Sequence, residues 1–197
     1  MTRTAFFAPL LLALSAAACA PADDGVASAD EAAMLPTLRE EEKLAHDVYL
    51  ALDAQAPQFA NIAASEQTHT DAVRSLLDRY GLADPAVGRP AGSFASPTFT
   101  TLYGQLVAAG RVSTVEALRV GVEIEELDLH DLAGMQEKAD HTDVSNTLAN
   151  LARGSRNHLR AFWSQLAAAG GTYTPRHLDE ATFRAIVSSP TETGRPF

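Results

Sequence analysis

Residues 59–80 read FANIAASEQTHTDAVRSLLDRY. Apolar side chains recur at three- and four-residue intervals, the spacing of one face of an α-helix. Glu66 and His69 fall on that same face, so two ionisable groups are predicted to point into the core. Burying an unpaired carboxylate costs several kcal/mol, and the pair therefore requires a cation, a metal or a hydrogen-bond network. The apolar positions are Phe59, Ile62, Ala63, Val73, Leu76, Leu77 and Tyr80.

The rest of the chain has the composition of a helical protein. Of its 197 residues, 46% are hydrophobic, which is enough for one well-buried domain with terminal extensions. Ala and Leu are abundant, and no segment alternates between apolar and polar residues with period two. We therefore predict an all-α fold.

A formal net charge of -10 argues against several partners. Nucleic-acid binding relies on dense Lys/Arg patches, and an anionic membrane surface would repel such a chain. Cations are the natural partners of an acidic protein, although an acidic surface also serves solubility alone.

The N-terminus has the pattern of an export signal. Arg3 is followed by an apolar segment over residues 6–14 and by small residues up to Cys19, the single cysteine of the chain. Residues 1–19 are therefore predicted to be a signal peptide that resembles the lipobox type, with Cys19 acylated and the exported protein lipid-anchored in the periplasm or cell envelope. Ala16 departs from the lipobox pattern, so ordinary secretion is the alternative. Residues 20–34 are small, polar and acidic, and predict a flexible tether.

Four long helices are predicted between residues 35 and 171. The first begins after a capping box formed by Thr37 and Glu40, whose Glu40 and Glu41 are expected to be solvated. The second is the segment of residues 59–80, and the third and fourth begin near residues 113 and 142. Residues 82–97 are rich in Gly and Pro and predict a long crossover, which lets the third helix run parallel to the second. Short accessory helices are predicted over residues 99–109 and within the C-terminal segment 172–197.

Each of the four helices carries an ionisable residue on its predicted inner face. The first has Glu42, the second Glu66 and His69, and the fourth Ser155 and His158. On the third helix either Glu125 or Glu126 completes the apolar step from Val122 to Leu129, and Glu123 shares part of that face. Carboxylate and imidazole groups on facing helices suit iron, manganese or zinc. A polar group of residues at 128–143 is expected to be solvated surface; it contains Asp128, His130, Asp131, Asp140, His141 and Asp143.

Three motifs resemble those of ferritin-like and rubrerythrin-like proteins. They are Glu42-x-x-Ala45-x-x-x-Tyr49, Glu66-x-x-His69 and Glu123-x-x-Glu126. More specifically, residues 41–45, 123–126 and 154–162 resemble a bacterial and archaeal ferritin-like family known as domain of unknown function 2202. The resemblance covers residues 35–187 and implies a ferritin-like four-helix bundle.

The resemblance also implies a ligand set. One metal would be held by Glu42, Glu66 and His69. A second would share Glu66 and take Glu126 and His158, with Glu123 in place of the carboxylate that Ser155 lacks. The implied function is that of an exported di-iron carboxylate protein that acts on O2 or peroxide as an oxidase or peroxidase, or that handles metal ions.

Two other functions stay open at this point. One is a metal-free structural or binding lipoprotein whose buried Glu and His satisfy one another and contact Arg156 or Tyr49. The other is a mononuclear zinc or manganese protein that uses Glu42, Glu66, His69 and Glu126. The sequence does not fix the oligomeric state, and a homodimer is among the alternatives.

Overall fold

The computed structural model describes residues 25–194, and the fold over that range is all-α. Six α-helices are present and no strand occurs among these residues. The helices are α1 (Ala29–Ala51), α2 (Gln58–Arg79), α3 (Pro97–Gly110), α4 (Thr114–Gln136), α5 (Thr142–Ala168) and α6 (Glu180–Ser188), with a 3-10 turn at Asp53–Gln55. The prediction of an all-α bundle with short accessory helices is confirmed.

The four long helices pack as two antiparallel pairs. The pairs are α1 with α2 and α4 with α5, and they meet through α2 against α5 and α1 against α4. One apolar cluster joins the end of α1 to the starts of α2 and α4 and the end of α5. A second cluster joins the start of α1 to the end of α2, the last turns of α4 and the start of α5. Since α2 and α4 begin in the same cluster, they run in the same direction, as the long crossover predicts.

A polar layer separates the two clusters on three of the helices. On α1, Glu42 lies between Leu38 and Leu44, which belong to different clusters. The same transition occurs on α2 between Ala63 and Val73 and on α5 between Leu151 and Leu159. The helices thus enclose ionisable side chains near the middle of the bundle, away from both ends.

The crossover between α2 and α4 packs along α1 and buries part of its polar face. The carboxylate of Glu40 accepts hydrogen bonds from the backbone amides of Ala95 and Ser96, and Asp47 accepts one of 2.9 Å from Gly92. Arg39 donates to Asp84 at 3.2 Å. The expectation that Glu40 is solvated is therefore wrong, because the crossover covers it.

The first helix begins earlier than its sequence predicts. Ser28 and Glu31 form the capping box that starts α1, so residues 29–34 of the predicted tether are helical. Pro36 lies inside the helix, and the start predicted at Thr37 is wrong. Leu35 and Leu38 are fully buried on both sides of the proline, and this packing outweighs the roughly 3 kcal/mol that proline costs within a helix.

The predicted signal peptide, Cys19 and residues 20–24 of the predicted tether lie outside the described residues. Within residues 25–194, no helix is both long and apolar enough to cross a membrane. The C-terminal segment from residue 172 packs on α4 and α5 through Phe183, which belongs to the first cluster, and through α6.

Candidate metal centre

Five buried ionisable side chains from four helices meet in the polar layer. They are Glu42 from α1, Glu66 and His69 from α2, Glu125 from α4 and His158 from α5. None is more than 8% exposed. Their atoms form two groups, Glu42/Glu66/His69 and Glu66/Glu125/His158, and within each group one ligand atom per residue lies within 4.8 Å of the others. Glu66 is common to both groups.

The carboxylate of Glu66 lies between the two histidines. Its Oε2 is 2.8 Å from Nδ1 of His69, and its Oε1 is 2.7 Å from Nδ1 of His158. The two imidazole rings are stacked with centroids 5.4 Å apart. Burial alone would raise the pKa of Glu66, but the two histidines hold it well below its ordinary value. Glu66 therefore stays ionised and offers one oxygen to each group.

Glu42 completes the first group. Its Oε2 is 3.3 Å from Nδ1 of His69, while its Oε1 is buried and has no hydrogen-bond partner among the described residues. Burial raises the pKa of Glu42 to about 7, although His69 opposes the shift. For His69 itself, burial lowers the pKa, but Glu66 and Glu42 raise it well above its ordinary value. A buried carboxylate oxygen of this kind needs a proton or a cation.

His158 and Glu125 complete the second group. Nδ1 of His158 is 3.6 Å from Oε2 of Glu125, and its Nε2 lies 2.9 Å from Oγ of Ser65. A hydrogen bond from Nε2 to Ser65 orients the ring so that Nδ1 faces the carboxylates. Burial would lower the pKa of His158, but Glu66 and Glu125 raise it to about 10. Without a metal, His158 is therefore protonated, and its positive charge pairs with the carboxylates of Glu66 and Glu125.

Tyr49 holds the carboxylate of Glu125 in place by a hydrogen bond. Its hydroxyl donates a 2.6 Å hydrogen bond to Oε1 of Glu125, and its ring packs against Phe59 and Phe162 at centroid distances of 5.8 and 5.1 Å. Burial raises the pKa of Glu125 despite the opposing effect of His158. The aromatic cluster fixes the carboxylate and keeps water from that side of the site.

The donor set fits divalent metal ions. Each group offers two carboxylates and one imidazole nitrogen, all buried, and oxygen and nitrogen donors of this kind bind iron, manganese and zinc. The residues that could hold two ions are Glu42, Glu66, His69, Glu125 and His158.

Comparisons with known proteins agree with this fold. The uncharacterized protein domain DUF2202 matches residues 31–190. The chain belongs to the DUF2202 family. The uncharacterized protein MJ0754 of Methanocaldococcus jannaschii is 46% identical over 169 residues, which is 85% of this chain and 91% of that protein. The crystal structure of hypothetical protein MJ0754 from Methanococcus jannaschii superimposes with a TM-score of 0.81 over 84% of this chain and 95% of the other.

In this DUF2202 protein Glu126 does not reach the centre, contrary to the prediction. It is fully buried, but on the side of α4 that faces the C-terminal segment. Its carboxylate accepts hydrogen bonds from the backbone amides of Arg176, His177 and Leu178, and from the hydroxyl of Tyr173 at 2.5 Å. Glu126 fastens the C-terminal segment to the bundle.

Glu123 is also outside the centre. It forms a 2.6 Å ion pair with Arg176 at the surface of this DUF2202 chain. The carboxylate that the prediction missed is Glu125, whose spacing to Val122 and Leu129 had left it an equal alternative.

Ser155 contacts a carboxylate from another helix. The Ser155 hydroxyl donates to the carbonyl of Leu151 at 3.0 Å and contacts the carboxyl of Asp128. Burial raises the pKa of Asp128 well above its ordinary value, and Glu42 and Glu125 raise it further. The expectation that Asp128 is solvated surface is wrong, because its Oδ2 is buried.

Of the two side chains named as partners of the buried carboxylates, Tyr49 contacts one of them and Arg156 does not. Arg156 does not contact the buried carboxylates; it binds Glu192 of the C-terminal segment at 2.6 and 2.7 Å. Tyr49 donates a hydrogen bond to Glu125, a member of the second group.

The loop before α5 is also less exposed to solvent than expected. The backbone amides of His141 and Asp140 donate hydrogen bonds of 2.8 and 3.0 Å to Glu31.

The absence of a side chain at Gly154 leaves room for the His69 ring in the DUF2202 bundle. A Cβ at this position of α5 would lie 2.6 Å from Cε1 of the His69 ring, which is closer than van der Waals contact allows. The glycine therefore lets the backbone of α5 approach the imidazole directly. Sequence periodicity gave no sign of this contact.

Proposed function

We propose that the chain is a ferritin-like metal-binding protein with a di-iron carboxylate centre. The observation that supports this most is the shared carboxylate of Glu66, which lies 2.8 Å from one histidine and 2.7 Å from the other. One carboxylate shared by two groups of carboxylate and imidazole ligands is an arrangement that suits a pair of metal ions. A single ion would use only one of the two groups.

Each residue has a defined part in this proposal. Glu42 and His69 would hold the first ion, Glu125 and His158 would hold the second, and Glu66 would contribute one oxygen to each. Ser65 and Tyr49 orient His158 and Glu125 by hydrogen bonds. The two apolar clusters, one on each side of the polar layer along the bundle, exclude bulk water from the metal centre.

Iron bound here would supply redox chemistry toward O2 or peroxide, or would be the cargo of a metal-handling protein. The protein residues contribute binding, fixed orientation and proton storage. Burial raises the pKa of Glu42 to about 7, so metal binding at Glu42 would displace a proton near neutral pH.

Metal analysis of the full chain, purified without a polyhistidine tag after growth in iron-replete medium, tests the proposal. Two irons per chain support it. One zinc or manganese per chain would instead support the mononuclear alternative. Protein that folds without metal and does not take up Fe2+ would contradict the proposal.

A metal-free role has one observation in its favour. The five side chains contact one another, with each histidine within 3.6 Å of two carboxylates, so protons alone can balance the layer. The melting temperature distinguishes the two functions. A metal centre predicts a rise on loading with Fe2+, because a ligand that binds only the folded state stabilises it.

We further propose that the protein is exported and anchored to the cell envelope through a lipid on Cys19. The support is the sequence of residues 1–19 alone. Mass spectrometry of protein extracted from membranes tests this. A diacyl or triacyl group on Cys19 is expected, and an unmodified N-terminus beyond Cys19 would contradict it.

A further inference from the structure

A cavity lies beside the metal centre, between α1, α3 and α4. We call it the α3 pocket; its volume is about 190 Å³. Its walls are apolar and include Leu44 of α1, Phe99, Leu102 and Leu106 of α3, and Ile124 of α4. Such a space suits the hydrocarbon part of a small molecule.

One end of the α3 pocket is acidic. Glu41, Asp128 and Asp131 line it: Asp128 and Asp131 lie one turn apart on α4, and the charge of Asp131 adds to burial in raising the pKa of Glu41. Oε2 of Glu41 and Oδ2 of Asp128 are buried and have no hydrogen-bond partner among the described residues. A buried, unpaired carboxylate oxygen is costly, so this end is built for a group that donates hydrogen bonds or carries positive charge.

The other charged groups at the rim are already engaged. Glu123 is paired with Arg176 at 2.6 Å, and Asp131 contacts His130 at 2.9 Å. His177 also lines the rim. These contacts leave Glu41 and Asp128 as the carboxylates that a bound cation would meet first.

The spacing of the carboxylates distinguishes an organic cation from a metal ion. In the two groups of the metal centre the ligand atoms lie within 4.8 Å of one another, whereas Glu41, Asp128 and Asp131 form no such group among the described residues. A metal ion also needs oxygen or nitrogen donors on several sides, and the walls here are hydrocarbon. An alkylammonium group needs carboxylates on one side only.

We propose that the α3 pocket binds a small primary amine with an apolar body. The ammonium group lies at Glu41 and Asp128, and the hydrocarbon part packs against Phe99, Leu102 and Leu106. Asp128 also contacts Ser155, and the charges of Glu42 and Glu125 raise its pKa, which places it close to the metal ligands. The bound amine would therefore lie next to the metal centre. The binding itself does not depend on a metal, and this proposal therefore goes beyond the proposed function.

Calorimetric titration of the full chain with n-hexylamine tests the proposal. Hexanol, which has the same chain without the charge, and hexanoate, which has the opposite charge, are the matched probes. Hexylamine is expected to bind about ten-fold or more tightly than hexanol, because a charge-assisted hydrogen bond replaces a neutral one, and hexanoate is expected not to bind. Equal affinity for hexylamine and hexanol, or no hexylamine binding at millimolar concentration, would overturn the proposal.

Two substitutions on α3 locate the site. Leu102→Trp fills the pocket and should weaken hexylamine binding about ten-fold or more, whereas Gly104→Ala, where a Cβ meets no atom within 4 Å, should leave it unchanged. Unchanged binding in a folded Leu102→Trp protein would place the amine elsewhere. If Leu102→Trp does not fold, Glu41→Gln serves, and it should reduce the preference for hexylamine over hexanol; an unchanged preference would overturn the acidic end of the site.

The same titration in metal-free and Fe2+-loaded protein separates the two proposals. Hexylamine binding without iron uptake contradicts the di-iron centre and supports the pocket. Iron uptake without hexylamine binding does the reverse. Competition of MgCl2 with hexylamine at matched ionic strength would identify a site for inorganic cations and overturn the proposal.

Discussion

Oε1 of Glu66 on α2 lies 2.7 Å from Nδ1 of His158 on α5. This contact joins the α1/α2 pair to the α4/α5 pair at the level of the polar layer. Glu66 also contacts His69 through its second oxygen at 2.8 Å, so one side chain links both halves of the bundle.

Glu66→Gln should remove both metal ions, because the amide cannot offer two anionic oxygens. Metal content measured by mass spectrometry should fall to background, and the Fe2+-dependent rise in melting temperature should disappear. Glu123→Gln is the matched control. It changes a surface ion pair with Arg176 and should leave the metal content unchanged.

Glu125 and Glu126 should have separable roles. Glu125→Gln should lower the metal content to about half, since it removes a ligand of one group only. Glu126→Gln should retain the metal but reduce the free energy of unfolding by about 1–3 kcal/mol, since the C-terminal segment loses a charged hydrogen-bond acceptor. Loss of metal from Glu126→Gln, with Glu125→Gln fully loaded, would reverse the assignment.

The choice between these two residues could not be made from sequence. Glu125 follows Val122 by three positions and precedes Leu129 by four, and Glu126 does the opposite, so both fit the same apolar face. Both are indeed buried, at 2% and 0% exposure. The difference arises from the C-terminal segment, which covers Glu126 from about fifty residues further along the chain. Helical periodicity contains no information about such a contact.

Other parts of the site were accessible from sequence. Glu66 and His69 are three positions apart within an apolar face, so their burial follows from one local pattern, and Glu42 and His158 follow in the same way. The start of α1 could not be predicted from the sequence, because Ser28/Glu31 and Thr37/Glu40 are equivalent capping patterns. Pro36 favours the second of them. Only the burial of Met34 and Leu35 against the other helices decides between them.

Gly154→Ala should weaken binding at the first group. The added methyl overlaps the His69 ring, so the imidazole or α5 must move. We expect reduced Fe2+ affinity measured by titration with a chelator, together with a lower melting temperature. Gly134→Ala, in α4 with no atom within 4 Å of its Cβ, should instead raise the stability by about 0.5–1 kcal/mol. Equal behaviour of the two variants would show that the close approach has no effect.

Ser65→Ala should reduce metal affinity at the second group. The hydroxyl lies 2.9 Å from Nε2 of His158 and orients its ring, and loss of such a contact costs about 10–100-fold in metal affinity. Ser75→Ala, on the exposed face of α2, removes only a hydrogen bond to the carbonyl of Asp71 and provides the comparison. An affinity for Fe2+ that is the same in both variants would exclude an orienting role for Ser65.

Glu31 should make the stability sensitive to acid. Burial would raise its pKa, but hydrogen bonds from His141, Ser28 and Asp140 lower it from 4.5 to about 2. Because the folded-state pKa is the lower one, the stabilisation is complete above pH 4.5 and is lost as the pH falls toward 2.

Glu31→Gln should therefore lower the free energy of unfolding by about 1–3 kcal/mol at neutral pH, and the difference from the unmodified protein should shrink between pH 4.5 and 2. Urea titrations at each pH measure it. Glu180→Gln, which affects an exposed ion pair with Arg184, should stay within about 0.5 kcal/mol of the unmodified protein throughout. A constant difference for Glu31→Gln across this range would contradict the assigned role.

The division of the core into two apolar clusters has a consequence for the way the bundle opens. Backbone amides in separate hydrophobic units exchange with solvent through separate opening events, unless something couples the units. Without metal, the amides near Leu35 and Leu77 and those near Phe59 and Phe162 are expected to exchange at two different rates. Ions held by ligands from all four helices would merge these into one slow event, so the hydrogen-exchange pattern itself would show whether the chain is loaded.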